Sequence, residues 1–286
     1  MKKYFSTNSR FLGIFSASLM TFLILTGCED NSDSKITSWK SQPTNESITA
    51  KGKFIPVYEP ALKAENRIEE NLWRSHKLLE DFTDEMNDFV KIPRDIKVIS
   101  KECNESNAFY DRENYTIELC YELGVEERKM FSDVGDSGEV LDNLLYQSAV
   151  GTLFHEAGHA LIAVLDLKIT GREEDVADQL AAYILTYNNE DKDYLITVSE
   201  TYSLAAQRAE SLDDLLFYDS HSLDAQRAVN FLCYVYGSDP KGFNHLIGDE
   251  LLNKDRAEDC EFEYQQIVDA WDFLLGPYFK NNLDKK

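Results

Sequence analysis

The sequence predicts an α+β fold that is mostly helical and contains a small mixed sheet. Apolar side chains recur at helical spacing over residues 141–165, which predicts one long and largely buried helix. Residues 96–100, the segment around Phe109, and residues 115–121 combine β-branched and aromatic side chains, as short strands do. A long helix is predicted before these strands, over residues 60–89, and mainly helices are predicted after them.

Capping patterns predict where two helices begin. Asp136 with Glu139 can form a capping box for the long helix, and Thr170 with Glu173 can form another. The second box precedes an apolar helical face over residues 177–185, and the intervening loop is short, so the two helices are expected to run antiparallel. Helical periodicity also predicts later helices over residues 194–216, 223–236, 240–252 and 261–275.

Within the long helix the segment His155-Glu156-Ala157-Gly158-His159 has the spacing of a metal site. Residues four positions apart lie on the same helical face, so both imidazoles can bind one cation. Glu156 projects roughly 100° around the helix from His155, beside the ion instead of on it. That position suits a general base that takes a proton from a water activated by the metal.

A third protein ligand is needed, because a catalytic zinc site has three protein ligands and a water molecule. Glu174 opens the next helix and can complete a His155, His159 and Glu174 set. Asp178 lies one turn later on the same face, where it can accept the free N–H of His155 and fix its tautomer. The sequence therefore predicts a Zn²⁺ centre with Asp178 supporting one of its ligands.

The combination of His-Glu-x-x-His with a downstream Glu-x-x-Ala-Asp resembles the gluzincin metallopeptidases. This resemblance implies a zincin-like domain with the active site on the His-Glu-x-x-His helix. It also implies Glu174 as the third zinc ligand and Asp178 as the support for a ligating histidine. The two residues are the same pair that the helical geometry selects.

A second resemblance concerns Asn107-Ala108-Phe109-Tyr110, which is similar to a segment of thermolysin-like enzymes. There an edge strand aligns the substrate backbone above the zinc. An extended peptide can add as a strand to such an edge, with main-chain hydrogen bonds providing the alignment. The alternative interpretation is a half-buried strand without a binding role.

More of the chain, from about Trp73 to Asp272, resembles a bacterial metallopeptidase family whose substrates are unassigned. The resemblance rests on residues 170–179, on the cysteines that flank Asn107 to Tyr110, and on residues 221–227. It implies the fold and the zinc chemistry, but no substrate.

His221 and Arg227 are further candidates for the site. Thermolysin-like enzymes place a downstream histidine near the oxyanion, and His221 could donate a hydrogen bond there. Alternatively, His221 orients the helix that starts near Leu223. Arg227 could bind a substrate carboxylate, or it could pin a buried acidic group through a bidentate contact.

The N-terminus predicts export and a lipid anchor. Basic residues precede an apolar stretch over residues 11–25, which is typical of a secretory signal. Leu25-Thr26-Gly27-Cys28 resembles the bacterial lipobox, so we expect a lipoprotein signal peptide over residues 1–27 and lipidation of Cys28. The polar residues 28–53 then form a flexible tether, and residues 54–286 form a single zinc metallopeptidase domain.

The N-terminus, the cysteines and the net charge predict the cellular location and limit the possible partners. The protein is expected in the bacterial cell envelope, facing outside the cytoplasm, and Glu29 favours the outer membrane over the inner one. The four remaining cysteines allow three pairings, of which local order favours Cys103 with Cys120 and Cys233 with Cys260. The formal charge of −23 disfavours nucleic-acid binding and leaves the lipid anchor as the membrane contact.

The function that these patterns favour is a lipid-anchored, extracytoplasmic zinc metallopeptidase acting on a peptide or protein substrate. Its substrate could also be another amide, such as a cell-wall peptide. The alternative is a catalytically inactive, zinc-binding envelope scaffold or binding protein with a peptidase fold. An intact Glu156 favours the enzyme, because a structural zinc does not need a general base. The pattern carries no information on oligomeric state.

Overall fold

The computed structural model describes residues 51–187, 191–209, 211, 217–248 and 251–280. The predicted signal peptide, the predicted lipidation site Cys28 and nearly all of the predicted tether lie outside these ranges. No helix in the described part of the chain is both long enough and apolar enough to span a bilayer.

Four strands form a small mixed sheet: β1 Phe54–Tyr58, β2 Ile96–Lys101, β3 Ala108–Asp111 and β4 Thr116–Cys120. The spatial order is β1, β2, β4 and β3; the first three run parallel, and β3 pairs antiparallel with β4 at one edge. The sequence predicts the sheet and its last three strands. It does not predict β1, because this strand directly follows the polar tether and contains a proline.

Eight α-helices make up most of the described chain, which agrees with the predicted α+β class. They are α1 Ala64–Ser75, α2 Leu78–Phe89, α3 Tyr121–Val134, α4 Gly138–Val164, α5 Glu173–Leu185, α6 Lys192–Ala206, α7 Asp224–Ser238 and α8 Lys254–Leu275.

The long helix α4 is the centre of the core. It contacts α2, α5 and α6 as well as strands β3 and β4. Its side chains Leu153, Phe154 and Leu161 are almost fully buried, as the apolar periodicity predicts. At Gly158 a Cβ atom would lie 2.7 Å from the Cα of Ala177 on α5, so only a glycine lets these two helices approach so closely.

The prediction of a single helix over residues 60–89 is wrong, because the helical conformation is interrupted between α1 and α2. Lys77 has a φ of 54°, in the left-handed region, and residues before Ala64 are not helical. The imidazole Nδ1 of His76 and the hydroxyl of Ser75 both bond to the carbonyl oxygen of Leu72, at 2.9 Å each. These side-chain bonds add to the one that the backbone N–H of His76 donates to the same oxygen, and together they stabilise the break.

The C-terminal helices also differ from the prediction. Residues 240–248 form turns and a short 3₁₀-helix, Asn244–Leu246, because the Asp239 side chain accepts from Gly242 N and fixes a turn there; residues 249 and 250 lie outside the described ranges. The last helix begins at Lys254 instead of residue 261, since Asn253 caps it by accepting from the backbone N–H of Asp255 at 2.8 Å.

Two helix starts differ in their caps, and one predicted helix is shorter. The N-cap residues of α4 and α5 are Ser137 and Arg172, without side-chain capping bonds, so neither predicted capping box forms. The α6 helix ends at Ala206, whereas residues 212–216 of the segment predicted as helical lie outside the described residues.

Both predicted disulfides are confirmed. Cys103 pairs with Cys120, which links the end of β4 to the chain just before β3, and Cys233 pairs with Cys260. The second bond joins α7 to α8, whose backbones also approach closely where Gly237 lies against the main chain of Cys260.

Removing the Cys233–Cys260 disulfide should destabilise the fold. The bond closes a separation of 27 residues, and its loss in a Cys233→Ala, Cys260→Ala variant should lower the free energy of unfolding by about 2–4 kcal/mol. Urea unfolding followed by circular dichroism measures this, with the wild type under non-reducing conditions as the reference. An unchanged midpoint would contradict the expectation.

Candidate metal centre

The structure brings together the three residues that the sequence selects as metal ligands. The Nε2 atoms of His155 and His159 lie 3.2 Å apart. Glu174 Oε2 is 3.3 Å from His155 Nε2 and 3.1 Å from His159 Nε2. The three atoms therefore form a nearly equilateral triangle between α4 and α5.

The size of this triangle fits a tetrahedral metal ion. Bonds of about 2.0–2.1 Å at tetrahedral angles separate neighbouring ligand atoms by roughly 3.3 Å, and such bonds are typical of zinc with nitrogen and oxygen ligands. The observed separations of 3.1–3.3 Å match that value. Two imidazoles and one carboxylate are also a suitable donor set for zinc or a related divalent ion.

His221 joins the same cluster from the segment before α7. Its Nε2 lies 2.9 Å from Glu174 Oε2, and its ligand atom lies within 4.8 Å of those of His155 and Glu174. Asp219 Oδ1 accepts from both the backbone N–H and the Nδ1 of His221, at 2.8 and 2.9 Å. His221 is thus close enough either to bind a metal or to face a group bound to it.

The segment that carries His221 is fixed to the start of α5. The Arg172 guanidinium donates to the carbonyl oxygens of Asp219, Ser220 and His221 at 2.9, 2.7 and 2.8 Å. The Ser222 hydroxyl donates to Asp175 Oδ1 at 2.7 Å. Because Glu174 belongs to the same turn of α5, these contacts hold His221 and Glu174 in one unit.

Asp178 connects His155 to Arg227. His155 Nδ1 donates to Asp178 Oδ1 at 2.7 Å, which leaves Nε2 free to bind a metal. The Arg227 guanidinium donates to both oxygens of Asp178, at 2.9 and 2.7 Å, and stacks 4.0 Å above the Tyr202 ring. Arg227 is only 7% exposed, so in this structure its guanidinium pairs with the buried carboxylate of Asp178.

His159 has an equivalent support that sequence reasoning missed. Its Nδ1 donates to Glu173 Oε1 at 2.8 Å, and Arg112 forms an ion pair with the same carboxylate. The available signal was the run of acids that opens α5, where Glu173 directly precedes Glu174. Asp219 was similarly detectable only as an acid two positions before His221.

The carboxylates create a site that is suited to positive charge. Burial disfavours the charged imidazolium of His155, but Asp178 and Glu174 outweigh this effect and raise its pKa to about 9. Burial likewise opposes ionisation of Glu174, yet the surrounding imidazoles hold its pKa well below the ordinary value. For Asp178, burial is outweighed mainly by Arg227 and His155, which lower the pKa to about 2.

Glu156 has a different environment from the ligands. It is 5% exposed, and its Oε2 atom has no hydrogen-bond partner among the described residues. Burial raises its pKa, although the nearby histidines oppose the shift. An unpaired buried oxygen is costly unless a reacting group or water occupies the adjoining space.

That space is a cavity of about 270 Å³, bordered by His155, Glu156 and His221. Asn107 and Ala108 border it at the start of the edge strand β3, whereas Phe109 and Tyr110 continue the strand. The predicted substrate-aligning segment therefore reaches the cavity at its first two residues.

A protein family described as "Putative metallopeptidase" matches residues 58–275. The chain belongs to this family. No curated protein and no solved structure matches the chain significantly. The matched region of this metallopeptidase family member contains all of the residues that form the cluster.

Changes behind the ligands should weaken metal binding without removing a ligand. Asp178→Asn and Glu173→Gln each replace the carboxylate that orients a histidine, and we expect zinc affinity to fall roughly 10- to 100-fold. Competition with a chromogenic zinc chelator measures the affinity.

Asp166→Asn is the control, because that exposed carboxylate lies outside the cluster. Because Glu173 is only partly buried, Glu173→Gln should leave the fold intact, so a loss of zinc affinity reports on the orientation of His159. Circular dichroism checks the fold. Unchanged affinity in both variants would argue against the proposed support of the ligands.

Proposed function

We propose that this protein is a zinc metallopeptidase of gluzincin type, with a zincin-like active-site helix, that hydrolyses peptide bonds with Glu156 as general base. The observation that carries the proposal is the buried Glu156 carboxylate, whose Oε2 has no hydrogen-bond partner in the described part of the chain, beside a His155, His159 and Glu174 triangle of zinc-like dimensions. A purely structural site has no use for that carboxylate.

Zinc is the proposed ion because the donor set and the separations suit it, and because three protein ligands leave one position for water or substrate. When bound, it would supply Lewis acidity that polarises a carbonyl group and lowers the pKa of a water molecule. Asp178 and Glu173 accept from the Nδ1 atoms of His155 and His159. The Nε2 atoms of both rings would then hold the ion.

Glu156 performs the proton transfers in this proposal. Its carboxylate takes a proton from the attacking water and returns it to the nitrogen of the departing amine. Burial raises the pKa of Glu156, and a group whose pKa is closer to the working pH transfers protons more effectively. In this proposal His221 donates a hydrogen bond to the developing oxyanion.

Substrate alignment is assigned to the edge strand β3. Among the described strands, β3 pairs only with β4, so its other side can accept an extended peptide. Asn107 and Ala108 lie where this edge meets the cavity. A peptide added there would run past Glu156 with one carbonyl near the metal ligands.

The proposed location is the cell envelope, outside the cytoplasm, with lipid attached to Cys28. It is supported by the signal-like N-terminus and by two disulfides, since such bonds persist in oxidising compartments. The polar segment over residues 28–53 would then connect the anchor to the catalytic domain.

Replacing the general base should abolish turnover and leave the metal in place. The zinc-loaded wild type should cleave a diverse set of internally quenched peptides, and Glu156→Gln should lower kcat by at least about 100-fold. Removal of zinc by a chelator should abolish cleavage, and added zinc should restore it.

Glu139→Gln is a suitable control, because this exposed acid lies in the first turn of the same helix. Metal analysis must show equal zinc in both variants. Zinc-loaded protein without cleavage of any peptide, or with cleavage unchanged in Glu156→Gln, would refute the proposed mechanism.

A second candidate function is a zinc-binding envelope scaffold without turnover. The observation that favours it is the 2.9 Å separation of His221 Nε2 from Glu174 Oε2, which allows His221 to act as a fourth protein ligand. Four protein ligands close a zinc site and make it structural.

The two roles of His221 predict different outcomes for His221→Ala. If His221 faces the oxyanion, zinc affinity should remain close to that of the wild type, while kcat falls roughly 100- to 1,000-fold. If it is the fourth ligand of a scaffold, the wild type should not cleave peptides, and zinc affinity should fall in His221→Ala as it should in His155→Ala. Parallel measurements of zinc affinity and peptide turnover on both variants decide between the enzyme and the scaffold.

A further inference from the structure

The active-site cavity extends away from the metal cluster along α4. It is bordered by His155 at one end and by Ser148 two turns earlier, a distance of about 10 Å along the helix axis. Gly151 lies between them and packs directly against Val198 of α6, so no side chain from this position enters the space. Beyond the metal ligands, the wall contains the apolar side chains Met130, Val198 and Phe231.

Glu127 of α3 lies at the Ser148 end of this cavity. It is 4% exposed, and its Oε1 accepts from the Ser148 hydroxyl at 2.9 Å. No cationic side chain among the described residues lies within ion-pair distance of it. The charged groups that influence it are the acids Glu69 and Glu126. A carboxylate is therefore buried beside the cavity without a counter-ion.

This situation is unusual within the molecule. Glu69 is buried and pairs with Arg128 at 2.6 Å, and Glu118 pairs with Lys101. Asp178 is paired with Arg227, and Glu156 faces the metal cluster. Among the buried acids of the described ranges, Glu127 alone lies in the active-site cavity with neither a basic partner nor a place at the metal.

We propose that the cavity is a specificity pocket for a lysine or arginine side chain next to the scissile bond, with Glu127 as its counter-ion. The inference rests on the proposed function and names the substrate class. A lysine or arginine stem extends roughly 6 Å from its Cα. With about 1.5 Å from the carbonyl carbon to the Cα and about 3 Å for the contact with the acceptor, a residue whose carbonyl lies at the metal cluster spans about 10 Å. It can therefore reach the Ser148 end of the cavity, where Glu127 lies.

The chemistry of the walls suits such a side chain, because Arg227, the one arginine or lysine among the described residues that borders the cavity, is already paired with Asp178. Met130, Val198 and Phe231 can cover the aliphatic stem, while the Ser148 hydroxyl and the Glu127 carboxylate receive the polar end. Burial, together with the neighbouring acids, raises the pKa of Glu127 to about 8 although Ser148 opposes it. A cation that enters the pocket supplies the partner that stabilises the ionised carboxylate.

The test compares substrates that differ only in this charge. Internally quenched peptides carry lysine, arginine or norleucine on either side of the scissile bond; norleucine keeps the lysine stem without its ammonium. For the zinc-loaded wild type, kcat/KM should be at least about tenfold higher with the basic residue at one of the two positions. Glu127→Gln should reduce this preference to within about threefold.

Glu139→Gln is the matched control, because it removes one negative charge from an exposed position outside the cavity. Binding of the same peptides to zinc-loaded Glu156→Gln, with and without Glu127→Gln, is measured by calorimetry and does not depend on turnover. No preference for a basic residue in either measurement, or a preference that persists without the Glu127 charge, would overturn the pocket.

The outcomes of these experiments also distinguish the proposed pocket from the proposed peptidase function. Cleavage of norleucine peptides without selectivity would overturn the pocket and leave the peptidase intact. Glu127-dependent binding of basic peptides without any cleavage would overturn the peptidase and support the pocket. Loss of stability alone in Glu127→Gln, with selectivity unchanged, would assign Glu127 to the fold.

Discussion

The close approach of α4 and α5 at Gly158 is the constraint on which the metal cluster depends. His155 and His159 belong to α4, and Glu174 belongs to α5, so the separation of the two helices sets the size of the ligand triangle. A Cβ atom at position 158 would meet the Ala177 backbone and push α5 away. Glycine costs roughly 0.5–1 kcal/mol relative to alanine inside a helix, and packing at this position offsets that cost.

Charge organises the rest of the site around this contact. The centre combines several carboxylates with three imidazoles, and His155 and His159 each have an acid behind the ring that is itself paired with an arginine. The two arginines differ in setting, since Arg227 is buried and Arg112 is exposed. The support of His155 is thus shielded from solvent, whereas that of His159 is more open to screening by salt.

Local patterns in the sequence were sufficient for the long helix, the later strands, the paired helices and both disulfides. They succeeded because helical spacing, cysteine order and the two acid-and-histidine motifs are short-range features. They failed where a few side chains override periodicity, as at Ser75 and His76, or at Asn253. The partners Glu173 and Arg112, and the cavity at Glu127, arise from tertiary contacts that a single sequence does not encode locally.

Arg172 attaches the segment that carries His221 to the start of α5. One guanidinium binds three successive carbonyl oxygens there. Arginine keeps its charge across the accessible pH range, so this anchorage does not depend on acidity. Acidification can therefore change the protonation of the imidazole while the backbone segment that carries it stays attached to the start of α5.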